Sequence, residues 1–192
     1  AQYRGYLSYD HNDDMLYLGT DGGGKLFIDT SGNVGIGVVP NSSWSSYWTA
    51  LQLGATGFVG GFQLGTTDLT ALGSNVWSDG SYKYIETDEA AIIKLQNGSI
   101  IFDVAPSGTA NDAISFTTAM TINNSGNLLV GMTSDAANTV GIRARSEGLL
   151  TATRDGSQSA IFGRKSSEGD IALFPKDGTT VGRIGSYLGA YL

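Results

Sequence analysis

The sequence predicts an all-β protein, and three observations predict it. One phrase is said twice. Residues 26–37 read L-F-I-D-T-S-G-N-V-G-I-G, and residues 120–131 read M-T-I-N-N-S-G-N-L-L-V-G. Ile28, Ser31, Gly32, Asn33 and Gly37 meet Ile122, Ser125, Gly126, Asn127 and Gly131 at one constant offset. The flanks alternate apolar and small residues, as in Val34-Gly35-Ile36, which is the period of a strand with one apolar face. Composition agrees: 28 of 192 residues are Gly, charged residues make up only 15 %, and there is no Cys. That mix suits many short strands joined by tight turns rather than Glu/Lys-rich disorder. A recurring strand-turn-strand unit belongs to fibrous or solenoid β architectures. A short hairpin cannot bury its apolar row alone and needs copies of itself, or of sister chains, to pack against.

The elements follow in order. Residues 3–9 and 15–18 read as strands around the turn Asp10-His11-Asn12-Asp13-Asp14, and Asp21-Gly22-Gly23-Gly24 makes another turn. The first copy of the phrase turns at Ser-Gly-Asn, where Gly and Asn tolerate positive φ and Ser and Asn bond their own backbone. Residues 41–50 are Ser-rich with Trp44, Tyr47 and Trp48, a loop or one helical turn. Short Gly-broken strands return over 50–73, including separate pieces at 57–59 and 62–64. Trp77 then precedes a turn at 78–81 and a strand at 82–85. Residues 90–95 and 100–104 make a hairpin across Asn97-Gly98, a pair suited to the positive φ values of a tight turn. A helix over 86–95 is opposed by Ile92-Ile93. The strand 113–117 feeds the second copy. After a polar link at 133–138, strand pairs are expected around Asp155-Gly156, Glu168-Gly169 and Asp177-Gly178. Glu168-Gly169-Asp170-Ile171-Ala172-Leu173 reads as a diluted third copy.

Charge and composition narrow the function classes. A net charge of −7, with no Lys/Arg stripe to neutralise phosphates, argues against nucleic acid. No apolar run approaches membrane-spanning length, so no membrane insertion is expected. Without Cys there is no disulfide framework or thiolate site, and no cofactor or metal is expected. The chain begins and ends in strand pattern, with neither an initiator Met nor a signal peptide, and reads as a piece of a longer protein.

The motifs with chemical potential each fall short. Gly19-Thr20-Asp21-Gly22-Gly23-Gly24-Lys25 has the spacing of a phosphate loop, but Leu26 stands where the Mg²⁺-binding hydroxyl belongs and a strand follows. Asp10, Asn12 and Asp14 have the alternate spacing of a calcium loop, but Met15 replaces the turn Gly and Asp21 the bidentate Glu. An acidic turn is the plainer reading. Glu86 and Asp88, with Glu89 beside them, would share a strand face, and glycan cleavage needs two carboxylates facing across a groove. A solvated turn is the alternative. Asn-x-Ser at Asn41, Asn97 and Asn123 is read as turn chemistry, not glycosylation. The aromatics Trp44, Tyr47, Trp48, Trp77, Tyr82 and Tyr84 cluster where the repeats are least regular. Flat rings stack on sugars, so these six are the candidate carbohydrate-binding residues. Packing along the axis of a trimer is their alternative role. No catalytic residue is assigned.

The apolar-Ile-Asp lead into Ser-Gly-Asn-Val-Gly-Ile-Gly resembles repeats of bacteriophage tail fibres and tailspikes. So do the stretches 105–116 leading into Ala119-Met120-Thr121-Ile122, 72–85, and the closing 169–182. In that family such repeats lie in the shaft or distal tip, often upstream of an intramolecular chaperone whose start is not seen in this sequence. The resemblance implies an elongated, intertwined homotrimer, a triangular β-helix or β-prism shaft with a small β knob. It implies a place in the virion tail, other tail proteins as neighbours, and attachment to bacterial surface polysaccharide or lipopolysaccharide. A glycan depolymerase or a ligand-free spacer are the other roles it allows. The segments expected are 1–40 (shaft repeat), 41–100 (aromatic-rich region, possible knob), 101–134 (second repeat) and 135–192 (C-terminal shaft).

Overall fold

The computed structural model describes residues 4–20, 23–187 and 190–191. Three expected features fall partly outside these residues: the strand 3–9 at Tyr3, the turn 19–25 at Asp21 and Gly22, and the strand-patterned end at Leu188, Gly189 and Leu192. The described residues are all β, with no helix. The chain divides into two compact units, residues 1–151 and 152–192.

The first unit is built on one mostly antiparallel sheet. In order its strands are β1 (Tyr6–Asp10), β2 (Met15–Thr20), β3 (Gly23–Ile28), β4 (Val34–Ile36), β5 (Trp48–Leu53), β6 (Gly57–Leu64) and β7 (Thr67–Ser74). After a small separate hairpin, β8 (Trp77–Ser78) with β9 (Tyr82–Lys83), the sheet continues through β10 (Asp88–Gln96), β11 (Ser99–Gly108), β12 (Thr117–Ile122), β13 (Leu128–Val130), β14 (Gly141–Ala144) and β15 (Leu150–Thr153). Thirteen strands thus lie side by side in chain order, leaving out only β8 and β9. Strands from the expected segments 1–40, 41–100 and 101–134 all enter this one sheet.

The two copies of the phrase are the hairpins β3–β4 and β12–β13, and their turns share the same bonds from backbone N–H groups, whereas the Asn33 carboxamide N–H donates to Asp29 (3.0 Å) and that of Asn127 to Asp135 (2.8 Å). The carboxylate of Asp29 accepts from the N–H of Ser31 (2.9 Å) and of Asn33 (2.8 Å). The amide oxygen of Asn123 accepts from Ser125 and Asn127, both at 3.0 Å. Gly32 and Gly126 sit at φ 80° and 79°, a region that disfavours any side chain with a Cβ. The Asn residues do more than turn the chain. Asn33 is 2 % exposed, and its Oδ1 accepts from Ala50 N–H at 2.9 Å, tying the turn to β5. Asn127 repeats this with Ser146 N–H at 2.9 Å. Removing a buried acceptor strands its donor, so Asn33→Ala is expected to destabilise the fold by about 1–3 kcal/mol. A urea transition at fixed protein concentration checks it.

Other expectations are met or corrected locally. Asn97 and Gly98, at φ 51° and 74°, make the expected tight turn of β10–β11. Residues 57–64 form one strand, not two, because Gly60 and Gly61 stay in register with β5 and β7. Residues 113–116 are not a strand; Ala113 makes one bridge to Lys83, and β12 starts at Thr117.

One face of the sheet carries the core. β4 and β5 are its one parallel pair, so residues 37–47 must return across the sheet before β5 can begin. That crossing lays Trp44 against Trp48 and Phe58, with ring centroids 5.7 and 5.0 Å away. Residues 75–87 make a second excursion. Buried Asn75 closes it, accepting from Glu86 N–H (2.7 Å) and donating to the carbonyls of Glu86 (3.1 Å) and Glu89 (3.0 Å). Phe58 is fully buried among these residues. Gly73 lies opposite it, and a Cβ there would run into the Phe58 ring.

In the second unit, β16 (Gly169–Lys176), β17 (Thr179–Tyr187) and β18 (Ala190–Tyr191) form a three-stranded antiparallel sheet. Asp177 and Gly178, at φ 51° and 79°, make the expected turn. Residues 154–168 contain no strand, so the pairs expected around Asp155-Gly156 and Glu168-Gly169 do not form. The diluted third copy is therefore not a hairpin: it lacks the Asn that anchors the other two, and only its second strand exists.

Candidate functional site

The six candidate aromatics are placed unequally. Trp44, Trp48, Trp77 and Tyr84 are buried in the core of a single chain. The indole N–H of Trp77 donates to Tyr84 O (3.2 Å), and Tyr84 O–H donates to Pro106 O (2.7 Å). Trp44, Trp77 and Tyr84 offer no open face for a sugar, and Trp48, 4 % exposed, borders a cleft only at its floor. Tyr47 is 46 % exposed and stands edge-on to Phe62, centroids 6.0 Å apart. Tyr82 is half-buried, edge-on to Phe116 at 5.7 Å.

Tyr82 borders a cleft of about 210 Å³. Its floor is one register row of the sheet: Trp48 opposite Phe62, Phe62 opposite Leu69, Leu69 opposite Gln96. The turn of the β8–β9 hairpin, with Ser78, Ser81 and Tyr82, closes the other side. Trp48 packs against Phe62 and Tyr82, with ring centroids 5.3 and 6.2 Å away, and holds both in place. Sequence reasoning missed Phe62, Thr67 and Gln96, because only strand pairing brings them to Tyr82. No Asp, Glu, Lys, Arg or His lines the cleft. Burial, then the charge of Asp103, pushes the Tyr82 phenol up to about 12, so it stays a neutral donor at physiological pH. Nearby, Lys83 pairs with Asp79 at 2.7 Å. Lys83 holds the Asp79 carboxyl below its ordinary value, chiefly through that hydrogen bond.

The opposite face of the same sheet is apolar along its whole breadth. Following strand register, Tyr9 faces Leu16, then Ile28, Val34, Leu51, Val59, Leu72, Ile93, Phe102, Met120, Val130 and Ile142. A second row runs Leu7, Leu18, Leu26, Ile36 and Leu53. Many of these side chains lie open to water, from Val130 at 36 % to Leu7 at 67 %. A depression of about 420 Å³ ringed by Leu72, Ile93, Phe102 and Val104 sits in this face. Monomeric proteins rarely expose contiguous apolar patches beyond a few hundred Å².

The carboxylate candidates do not form a pair across a groove. Glu86 precedes β10 instead of sharing its face with Asp88, because its N–H is held by Asn75. Asp88 and Glu89 are exposed, and hydrogen bonds from Glu89, side chain first and backbone second, hold Asp88 below its ordinary value. A general acid needs the opposite shift. In the acidic turn, Asp10 accepts from Asn12 N–H (2.8 Å) and Tyr9 O–H donates to Asp14 (2.8 Å). Among the described residues no three His, Asp or Glu side chains group as a metal site.

A cluster the sequence did not reveal lies beside the second repeat. Asp135 accepts from Arg143 (2.9 Å), Arg145 (3.2 Å) and Asn127 (2.8 Å). Burial acts to raise the Asp135 carboxyl, but the hydrogen bond from Arg143 and the charge of Arg145 outweigh it and hold the group below its ordinary value. A carboxylate so depressed stabilises the fold above its unfolded value of 3.8 and loses that contribution as pH falls through the folded value. Asp135→Asn is therefore expected to flatten the loss of stability below about pH 4, read as melting temperature against pH.

No protein-family model, no curated protein and no solved structure matches the chain.

Proposed function

We propose that the chain is a subunit of a homotrimeric β fibre of the phage tail-fibre kind, carried on the virion tail beside other tail proteins. In this reading it attaches the particle to polysaccharide or lipopolysaccharide of a bacterial surface. The observation that carries the assembly is the unbroken apolar ladder from Tyr9 to Ile142. Three copies turning that face inward would make the walls of a triangular prism from the thirteen-stranded sheet. The resemblance of the repeats supports the attachment role, and trimer valency would multiply weak contacts.

Two measurements test this. Light scattering is expected to give about three times 20.0 kDa, the count a closed three-fold requires; a particle of 20.0 kDa overturns the assembly. Labelled protein is expected to be retained on capsulated or lipopolysaccharide-bearing cells. No retention leaves the spacer role, and shortened glycan leaves the depolymerase.

A further inference from the structure

We propose that the cleft between the Trp48–Phe62–Leu69–Gln96 row and the β8–β9 hairpin binds one neutral pyranose ring of a surface glycan. This rests on the attachment reading above and names its site. Four features converge on it.

The first is size. At about 210 Å³ the cleft lies below the roughly 300–1,000 Å³ of drug-sized sites, which suits a single ring. The second is the mixture of lining groups. Phe62 and Tyr82 are half-buried aromatics whose faces match the C–H face of a pyranose. The Thr67 hydroxyl, the Gln96 carboxamide and the Tyr82 phenol make no hydrogen bond to another described residue. They therefore remain available to sugar hydroxyls as donors and acceptors. The third is charge. No ionisable group but the neutral phenol lines the cleft, and Lys83 and Asp79 neutralise each other beside it. A uronate or sialate would be buried without a cation, so the occupant is neutral. The missing carboxylates also make the cleft a binding site and not a hydrolytic one.

The fourth is position. Trp48, Phe62, Leu69 and Gln96 are each three places along their strands from the ladder residues Leu51, Val59, Leu72 and Ile93. An odd step puts them on the other face of the sheet. Trimerisation through the ladder therefore leaves the cleft open, one per chain.

The test uses the full chain and saturation-transfer NMR from protein aromatic protons. The probes are the methyl glycosides of glucose, galactose and mannose, with glucuronate beside them. At least one methyl glycoside is expected to take up saturation on its ring protons, and glucuronate none. Gln96→Ala, at the solvent-facing end of β10, is expected to weaken the binding about tenfold, the loss of one hydrogen bond to a buried ligand. Circular dichroism checks that the variant is folded, and Thr67→Ala serves as a second variant. The proposal is overturned if all three glycosides fail, if glucuronate binds as well as they do, or if neither variant weakens binding. Wild-type retention on cells separates the two readings. Retention with a silent cleft sinks the site alone, whereas loss of retention sinks attachment itself.

Discussion

Ile93→Asp is expected to reduce the particle from about three times 20.0 kDa to 20.0 kDa, with the far-UV spectrum of the chain unchanged. Ile93 sits in the middle of the ladder, directly across from Leu72 on one side and Phe102 on the other. Its side chain points away from the core, since its neighbour Ile92 is the buried one. In a lone chain Ile93 is only half-buried, at an open depression, so a carboxylate there still reaches water. In the proposed trimer the same carboxylate would be buried beside two symmetry copies, and desolvating unpaired like charges costs several kcal/mol each. The distinction is sharp because the mutation separates assembly from folding. Light scattering of the variant at several concentrations reads the mass. An unchanged trimer mass means that the ladder is not the interface.

The second large effect is expected at Lys94. Its ammonium pairs with Asp103 at 2.5 Å on the core side of the sheet, where Asp103 is 3 % exposed. Thr118, across from Asp103 in β12, donates to the same carboxylate at 2.7 Å. Removing only the cation leaves a buried carboxylate with one neutral donor. Lys94→Met is expected to cost about 3–5 kcal/mol. The double variant Lys94→Met/Asp103→Leu is expected to recover most of it, because replacing a buried pair by apolar groups of similar size is often neutral. Urea unfolding at one protein concentration measures both, since the stability of an oligomer depends on concentration. If the double variant is as unstable as the single one, packing and not charge sets the cost.

Much of the strand plan could be read from the residues. The hairpins at Ser-Gly-Asn and Asn97-Gly98 depend on backbone conformations that few residue types adopt, so their positions are local information. The same holds for Asp177-Gly178. The absent pair at Asp155-Gly156 marks the limit of that logic. A turn dipeptide makes a hairpin only when strands on both sides find partners, and residues 154–168 offer none. The repeat also carried more than turning. Asn33 and Asn127 look like turn residues, yet their side-chain oxygens hold the N–H groups of Ala50 and Ser146, partners far along the chain that no local pattern names.

The aromatic cluster divides for a related reason. Trp44 and Trp48 looked like binding residues because they interrupt the repeat. They interrupt it because the chain must cross the sheet to start β5 parallel to β4, and the crossing needs large side chains to fill the space beneath it. Phe62 and Gln96, which line the cleft with Tyr82, sit inside ordinary strand and hairpin text and carried no signal.

By itself, the sequence determined the all-β class, the two repeated hairpins and the alternation that gives every strand an apolar side. Those follow from period-two patterning and from the φ preferences of Gly, Asn and Asp, which act within a few residues. Tertiary structure alone decided which side became the core. Alternation marks two faces without saying which one the excursions at 37–47 and 75–87 will cover. They cover the face bearing Trp48, Phe58 and Ile92. That choice leaves the row from Tyr9 to Ile142 uncovered and places Tyr82 over a cleft on the other side.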